Sequence, residues 1–331
     1  MNRKLKTTVL DAGGRYGIHP TWKLFTGEIE YHLFEPDPSE SARLKRKYEN
    51  RKSEIKVIGQ ALQEKNGNLT IHFVRNRAMS SSTKRLPISS LFEKGGQRDS
   101  EVEVLESIEA TAVSIDSYCA NNNLSLDFLK LDTEGSEYQI LQGARSQLTN
   151  SVLGVRSEVS FDYIFEGMPL FSTLHDFMLS QNFFLLNLDY NGRGDYQNDF
   201  VNTSSRYGIL TASDAVWMKR PNFLFESQVL SKESNALQVL KYASFCLLND
   251  ASDVGIRILL EARKKYNIDF DIFNNTQLYN FLDVSIHKLF YSLKWQPGQS
   301  LVSHHETYLS IFGKKMKVMN EFMESEELNP D

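Results

Sequence analysis

The residues best suited to chemistry lie in one short run, Asp127–Ala144. An apolar segment, Phe128–Leu131, leads directly into the carboxylates of Asp132 and Glu134, and Glu137 follows. Acidic groups at the carboxyl end of a buried strand lie where open α/β sheets bind ligands. Core packing requires no acids at such a place, so the run predicts a functional site. Carboxylates in a site can act as general acids or bases.

A glycine-rich segment, Val9–Gly17, is the second candidate. It allows a tight turn after a strand and offers bare backbone amides to a ligand at the start of a helix. Glu35 ends the next strand, at about the distance where an acid binds ribose hydroxyls. The match to a dinucleotide fingerprint is imperfect, since Ala12, Gly14 and Gly17 occupy the three glycine positions. An ordinary strand-to-helix turn is the alternative interpretation.

Strand and helix patterns alternate along the chain as far as Arg220, and these elements position the candidate residues. The predicted strands are Thr7–Ala12, Tyr31–Phe34, Ile55–Ile58, Asn68–Val74, Ala110–Ile115, Phe128–Leu131, Val152–Val159 and Phe183–Asp189. Strands that alternate with helices favour an α/β fold with a doubly wound, mostly parallel sheet.

Other segments give more local expectations. A helix is predicted to start between Gly17 and Pro20, and another to run from Pro38 to Tyr48 with Asp37 as its cap. Residues 75–107 are polar and indicate a mobile insertion. Ala215–Met218 is a candidate strand to close the sheet.

The pattern becomes helical after Pro221. We therefore expect a Rossmann-like domain over residues 1–222 and a small α-helical domain over 223–331. The helices are a candidate surface for a protein partner or for self-association. The apolar stripes that predict them are Ala236, Leu237, Leu240, Ala243 and Leu247; Val254, Ile258 and Ala262; Leu278, Leu282, Ile286, Leu289 and Leu293; and Leu309, Phe312, Met316, Met319 and Phe322.

Composition excludes several classes of protein. A formal charge of -5 provides no general basic field, so no nucleic-acid partner is expected. No apolar run has the length of a membrane span. The first residues, Met1–Lys6, contain no apolar signal segment. The two cysteines, Cys119 and Cys246, exclude a disulfide framework, and a cytoplasmic location is expected.

Four landmarks occur in order along the chain, namely Val9–Gly17, Phe34–Pro38, Gln60–Leu62, and Val113–Ser117 followed by Asp127–Ala144. Together they resemble the FkbM-type S-adenosylmethionine-dependent methyltransferases. The last landmark is the family's most distinctive block, and the resemblance covers roughly residues 7–220. It implies a class I, Rossmann-like fold with S-adenosylmethionine as cofactor.

The resemblance also implies a set of cofactor-binding residues. The amino-acid end of the cofactor would lie on free amides of the glycine loop. Glu35 would accept hydrogen bonds from both ribose hydroxyls, Ala61 would lie along the adenine, and Asp132 would face the sulfonium. No metal site is expected, because no zinc-type spacing of Cys and His is present. The loop residues implied are Asp11, Gly13, Gly14 and Gly17.

The implied reaction is methyl transfer to a hydroxyl of a small molecule or a glycan sugar. Such a hydroxyl needs a proton acceptor, which contributes about 10²- to 10⁴-fold. The candidates each have a structural alternative. Asp132 could cap a helix through the amide of Glu134 or Gly135, Glu134 could complement a helix dipole, and His19 could be a loop residue. The candidate bases are Asp132, Glu134, Glu158 and His19.

Two further hypotheses stay open. The family usually has Ala-Asn where this chain has Gly14-Arg15. A catalytically inactive relative that serves as a binding or scaffold protein is therefore the second hypothesis. An NAD(P)-dependent oxidoreductase is the third, favoured by the glycine loop and Glu35, but it leaves Asp127–Ala144 without a role.

Overall fold

The computed structural model describes residues 6–25, 27–86, 101–194, 209–226, 232–292 and 301–312. The chain divides into two compact units. Lys6–Lys23 and Ile29–Lys219 form the first. The second comprises Leu24–Glu28 and the described residues from Arg220 onward. The domain boundary suggested after residue 222 stays a prediction.

A seven-stranded sheet forms the first unit's centre. In spatial order its strands are β3 (Ile55–Ile58), β2 (Ile29–Phe34), β1 (Thr7–Ala12), β7 (Phe128–Leu131), β8 (Gly154–Ser160), β10 (Ile209–Lys219) and β9 (Phe183–Gly194). β10 pairs antiparallel with β8 and β9, and the other pairs are parallel. The expected mostly parallel α/β fold is confirmed. Because the strand order reverses beside β1, the carboxyl ends of β1 and β7 border a ligand-binding crevice.

Five α-helices accompany this sheet in the described part of the unit. They are α1 (Pro38–Lys47), α2 (Ile115–Asn122), α3 (Glu137–Gln142), α4 (Arg145–Asn150) and α5 (Phe171–Ser180). The Asp37 cap is confirmed, since its side chain accepts hydrogen bonds from the amides of Ser39 and Glu40. A helix begins within the expected interval from Gly17 to Pro20, but it is a 3₁₀ helix rather than an α-helix. Gly17 has a φ of +92°, which no right-handed helix contains, and a 3₁₀ helix follows at Pro20–Phe25.

The core lies around β1 and β7. Leu10, Leu129 and Leu131 on these strands pack in one cluster with Ile140 and Leu141 of α3, and each is at most 1% exposed. Complete burial of such a side chain contributes about 1.5–3 kcal/mol. The strands that carry the acidic run and the glycine loop are therefore firmly anchored.

A separate three-stranded sheet has the order β4-β6-β5. Its strands are β4 (Ala61–Leu62), β5 (Gly67–Val74) and β6 (Val104–Val113). The strand expected at Ala110–Ile115 belongs to this sheet and not to the main one, and Ile115 already begins α2. Antiparallel pairing with β5 determines this position.

The insertion expected over residues 75–107 is only partly irregular. Arg77–Met79 forms a 3₁₀ helix, and β6 begins at Val104. Residues 87–100 lie outside the described part of the chain. The first half of β6 is mostly exposed, although it contains Val104 and Leu105, so its strand character comes from pairing with β5.

The expected strand Ala215–Met218 is part of β10, but it does not close the sheet. β10 lies between β8 and β9, and β9 is the edge strand. All four residues of this segment are at most 1% exposed. A run buried on both faces suits an interior strand.

The second unit is helical. Its described helices are α6 (Asn222–Glu226), α7 (Lys232–Leu248), α8 (Ser252–Tyr266), α9 (Gln277–Ser292) and α10 (Leu301–Phe312). Ala243, Ile258, Leu282 and Ile286 from the predicted stripes are fully or almost fully buried. None of the described helices has both the length and the apolar character needed to cross a lipid bilayer. The predicted stripe residues Leu293, Met316, Met319 and Phe322 lie outside the described residues.

Candidate active site

The glycine loop after β1 lies directly against the turn after β7. Gly13 has a φ of +80°, and a β-carbon there would collide with the backbone carbonyl of Asp132. Glycine adopts this conformation without strain and leaves room for the carbonyl. The two loops that form the floor of the crevice are thus in direct backbone contact.

The loop does not offer all the amides that the sequence suggests. Gly13 and Gly14 both direct their N–H groups at the carbonyl oxygen of Phe34, at 3.3 and 3.4 Å, and Gly17 donates to the carbonyl of Gly14 at 2.8 Å. The expectation of bare amides at these glycines is therefore wrong. Within the described chain, the amides of Arg15 and Tyr16 make no hydrogen bond, so these two remain available.

Asp11 and Asp132 are joined by Lys130. The Lys130 ammonium lies 3.3 Å from Asp11 Oδ1 and 3.2 Å from Asp132 Oδ2, and the Tyr31 hydroxyl donates to Asp11. Burial raises the pKa of Asp11, although Lys130 and Tyr31 oppose this. Burial alone would lower the pKa of Lys130, but Asp11 and Asp132 outweigh it and raise that pKa. Asp11 is 1% exposed, pairs with Lys130 and is not among the residues that line the crevice.

A cleft of about 690 Å³, counting its opening to solvent, lies above this floor. Of the predicted site residues, Gly13, Glu35, Ala61, Asp132 and Glu134 line it. Asp11, Gly14, Gly17, His19 and Glu158 are not among its lining residues. The other lining residues include Arg15, Phe34, Gln60, Leu62, Leu69, Ile71, Phe73, Arg77 and Ser80–Ser82.

Glu35 lies in a buried position after β2. It is 5% exposed, and its Oε1 accepts the amide of Asp37 at 2.9 Å. Burial raises the pKa of Glu35 to about 7, against the opposing effects of the Asp37 amide and the Arg15 guanidinium. Arg15 itself donates to Asp37 Oδ2 at 2.5 Å. Its charge is thus held at the start of α1.

Glu137 accepts the Gly135 amide, one of the two amides that the structural alternative assigned to Asp132. Glu137 Oε1 accepts the amide and the hydroxyl of Thr133 at 2.6 and 2.8 Å, and Oε2 accepts the amide of Gly135 at 3.0 Å. The helix-cap interpretation of Asp132 is therefore wrong, and its side chain, 45% exposed, pairs with Lys130. The helix-dipole interpretation of Glu134 is also wrong, because α3 begins only at Glu137.

Glu134 and Glu158 are brought together with Asp132. One carboxylate oxygen from each of the three lies within 4.8 Å of the others. Glu134 has a φ of +58°, and its backbone carbonyl accepts the Ser81 hydroxyl at 2.5 Å. Burial, with repulsion from Asp132 and Glu137, raises the pKa of Glu134 to about 8. Burial and the charge of Glu134 raise the pKa of Glu158 well above its ordinary value.

His19 is a neutral imidazole near neutral pH. Its pKa is lowered to about 4, first by burial and then by the charges of Lys130 and Arg156. Its Nδ1 accepts the amide of Thr21 at 3.4 Å, and its own amide donates to Tyr31. With so low a pKa, His19 is a weaker proton acceptor than an ordinary histidine.

The sequence of this domain matches a known family. A model for the methyltransferase FkbM domain matches residues 11–185, more than half of the 331-residue chain. The chain belongs to the FkbM methyltransferase family. The resemblance seen in the sequence is confirmed. The match contains the glycine loop, Glu35 and the acidic run, and it ends within β9.

Comparisons with individual proteins add less. A comparison with curated proteins finds no match. An FkbM methyltransferase structure from Methylobacillus flagellatus is 16% identical, with a TM-score of 0.38 over 66% of this chain and 44% of that chain. The M. capricolum TrmK structure with S-adenosylhomocysteine is 11% identical, with a TM-score of 0.31 over 86% of this chain and 98% of that one. This FkbM chain thus spans less than half of the first structure's length.

Two features of the FkbM domain escaped the sequence interpretation. Leu69, Ile71 and Phe73 of β5 form an apolar wall of the cleft. The alternation of apolar and polar residues in the sequence places these three side chains on one face of a strand. The sequence does not show that this face lines the cleft. Arg156 of β8 pairs with Asp214 and Asp189 at 2.8 and 3.1 Å, and no local pattern indicates this network.

Proposed function

We propose that this FkbM-family chain is an S-adenosylmethionine-dependent O-methyltransferase acting on a hydroxyl of a small molecule or a glycan sugar. The arrangement of the cleft supports this most directly. Glu35 follows β2 and Asp132 follows β7, with only β1 between them, so about 10 Å separates the two strand ends. Both acids line the same cleft. The spacing suits a nucleoside at one acid and a reactive cation at the other.

The lining residues fit this cofactor chemically. Glu35 would accept hydrogen bonds from the ribose hydroxyls, and Ala61, Leu69 and Ile71 offer an apolar surface to the adenine. The unbonded amides in the glycine loop would receive the methionine carboxylate. When bound, S-adenosylmethionine supplies a methyl group on a positively charged sulfur. The Asp132 carboxylate complements that charge.

The protein's main contribution would be placement of the two reactants. Transfer forms a bond from the acceptor oxygen to the methyl carbon and breaks the bond from that carbon to sulfur. The hydroxyl proton then needs an acceptor. Glu134, with a pKa of about 8, is matched to a reaction near neutral pH, whereas His19 at about 4 is not.

The position of Arg15 favours this proposal over an inactive binding protein. Its guanidinium lines the cleft but pairs with Asp37 at the start of α1, which balances its charge. The cytoplasmic location, expected from the cysteines, stays part of the proposal. Both cysteines are buried free thiols.

Calorimetric titration of the purified chain tests the proposal. We expect S-adenosylmethionine and S-adenosylhomocysteine to bind and NAD(P)H not to bind. Glu35→Ala should weaken binding roughly tenfold to a hundredfold, because hydrogen bonds to a charged group contribute about 1.5–3 kcal/mol. Glu64→Gln, at an exposed acid outside the cleft, is the matched control. Binding of NADPH alone would favour the oxidoreductase, and binding of none of the three would favour the scaffold protein.

A further inference from the structure

The carboxylates of Asp132, Glu134 and Glu158, here called the carboxylate cluster, converge on one point. Each supplies an oxygen within 4.8 Å of the other two. Oxygens on opposite sides of a bound divalent cation are about 4–5 Å apart, given metal–oxygen distances of about 2.0–2.6 Å. The spacing therefore accommodates one ion between the three side chains.

Two members of the cluster lack partners. Among the described residues, the carboxylates of Glu134 and Glu158 make no hydrogen bond and no ion pair, and both residues are partly exposed. Acids nearby behave differently: Glu137 accepts three hydrogen bonds, and Asp11 pairs with Lys130 and Tyr31. Buried charges in proteins are paired or coordinate metals. The converging oxygens of Glu134 and Glu158 are therefore available to a ligand.

The neighbouring cations do not supply that charge. Lys130 contacts Asp132 but is shared with Asp11. Arg156 is paired with Asp189 and Asp214. Arg85 lowers the pKa of Glu134 only weakly against burial and two neighbouring acids, and it lies over the Phe165 ring. His19, close to the same charges, is neutral at neutral pH.

We propose that the carboxylate cluster binds one divalent cation of the Mg²⁺ or Mn²⁺ type. Three oxygen donors with no thiolate or imidazole favour hard cations over zinc. The expectation of no metal, which considered only Cys and His spacing, would then be too narrow. The cation would keep open positions for water and for an oxygen of the acceptor.

Such an ion has a direct role in the proposed reaction. A bound cation lowers the pKa of a coordinated hydroxyl, as it does for water. The hydroxyl proton would leave to solvent, and the oxygen would then bond to the methyl carbon as that carbon's bond to sulfur breaks. Glu134 and Glu158 would hold the cation instead of accepting the proton. This role rests on the proposed function, but the binding of the cation does not.

Binding of Mn²⁺ to the isolated full-length chain tests the inference without cofactor or acceptor. We expect one equivalent of Mn²⁺ to bind, seen as loss of the free-ion electron paramagnetic resonance signal, with Mg²⁺ competing. Glu134→Gln and Glu158→Gln should each weaken binding at least about tenfold, since charge count tunes affinity over decades. Glu64→Gln, which removes the same charge elsewhere, should bind like the wild type.

Circular dichroism and melting in EDTA show whether the variants fold. Loss of a repelling charge should leave both variants at least as stable as the wild type without metal. If a glutamine variant does not fold, Asp132→Asn, at the exposed edge of the cluster, replaces it. No Mn²⁺ binding at millimolar concentration, or equal binding by wild type and cluster variants, would overturn the inference. The Mn²⁺ titration contains no cofactor. Its outcome therefore does not depend on whether the chain binds S-adenosylmethionine.

Discussion

Glu137 and Glu134 lie three positions apart in one turn, and burial raises the pKa of both, yet their hydrogen bonding is opposite. Glu137 is fully buried and accepts three hydrogen bonds from the turn before α3. Glu134 has a carboxylate with no hydrogen bond in the described chain and faces Asp132 and Glu158. Glu137 stabilises the turn through its hydrogen bonds, whereas Glu134 is positioned by the turn and does not stabilise it. The acidic run after β7 therefore contains one acid with hydrogen-bond partners and one without. The sequence alone does not distinguish the two.

The largest expected effect is a loss of stability on breaking the ion pair between Lys130 and Asp11. Lys130→Met removes the counter-charge of buried Asp11, and breaking one side of a buried pair costs about 3–5 kcal/mol. We expect a loss of that size in the free energy of unfolding, measured with urea. The double variant Lys130→Met/Asp11→Asn should recover part of it. A loss below about 1 kcal/mol in the single variant would contradict the structural role of the pair.

A smaller loss is expected at Glu137. Glu137→Gln keeps the size of the side chain but places an amide group against the N–H donors of Thr133 and Gly135. Because hydrogen bonds to charged groups contribute about 1.5–3 kcal/mol, we expect destabilisation of about 2–3 kcal/mol by urea unfolding. No destabilisation would show that Glu137 does not shape the turn.

The matched change at Glu134 should have the opposite sign. Its pKa is raised to about 8 by burial and by Asp132, so the folded wild type loses stability as pH rises from about 4.5 to about 8. Glu134→Gln removes this loss. We expect the variant to be about 1–2 kcal/mol more stable than the wild type at pH 8 in EDTA, and nearly equal at pH 5. Destabilisation at pH 8 would place Glu134 with the partnered acids.

The smallest expected effect is on cofactor affinity, at Glu35. This carboxylate accepts one hydrogen bond, as Glu137 does, and has a raised pKa, as Glu134 does. Its pKa is raised to about 7 by burial, while ribose hydroxyls would favour the ionised form. Affinity for S-adenosylhomocysteine should therefore rise about tenfold from pH 6 to pH 8, measured by calorimetry. Glu35→Gln should bind more weakly and lose this dependence. The same slope in both proteins would assign the titration to another group.

Local patterns predict much of this molecule. The strands β1 and β7, the Asp37 cap of α1 and the order of the landmarks all depend on residues close together in sequence. Burial and pairing across the fold determine the rest. Lys130 meets Asp11 only because β1 and β7 are neighbours, and Leu69 faces the cleft only because β5 pairs with β6. The hydrogen bond from the Gly135 amide, which the sequence offered only as a structural alternative for Asp132, is accepted by Glu137.

The contact between Gly13 and the Asp132 carbonyl has a consequence for protein engineering. Neither loop can be shifted without displacing the other, so the distance between the proposed cofactor loop and the reactive edge is set by the main chain. Redesign of acceptor preference should therefore leave these two loops untouched. Side chains on the walls, such as those of β5, are the positions where substitutions can reshape the cavity while its floor keeps its dimensions.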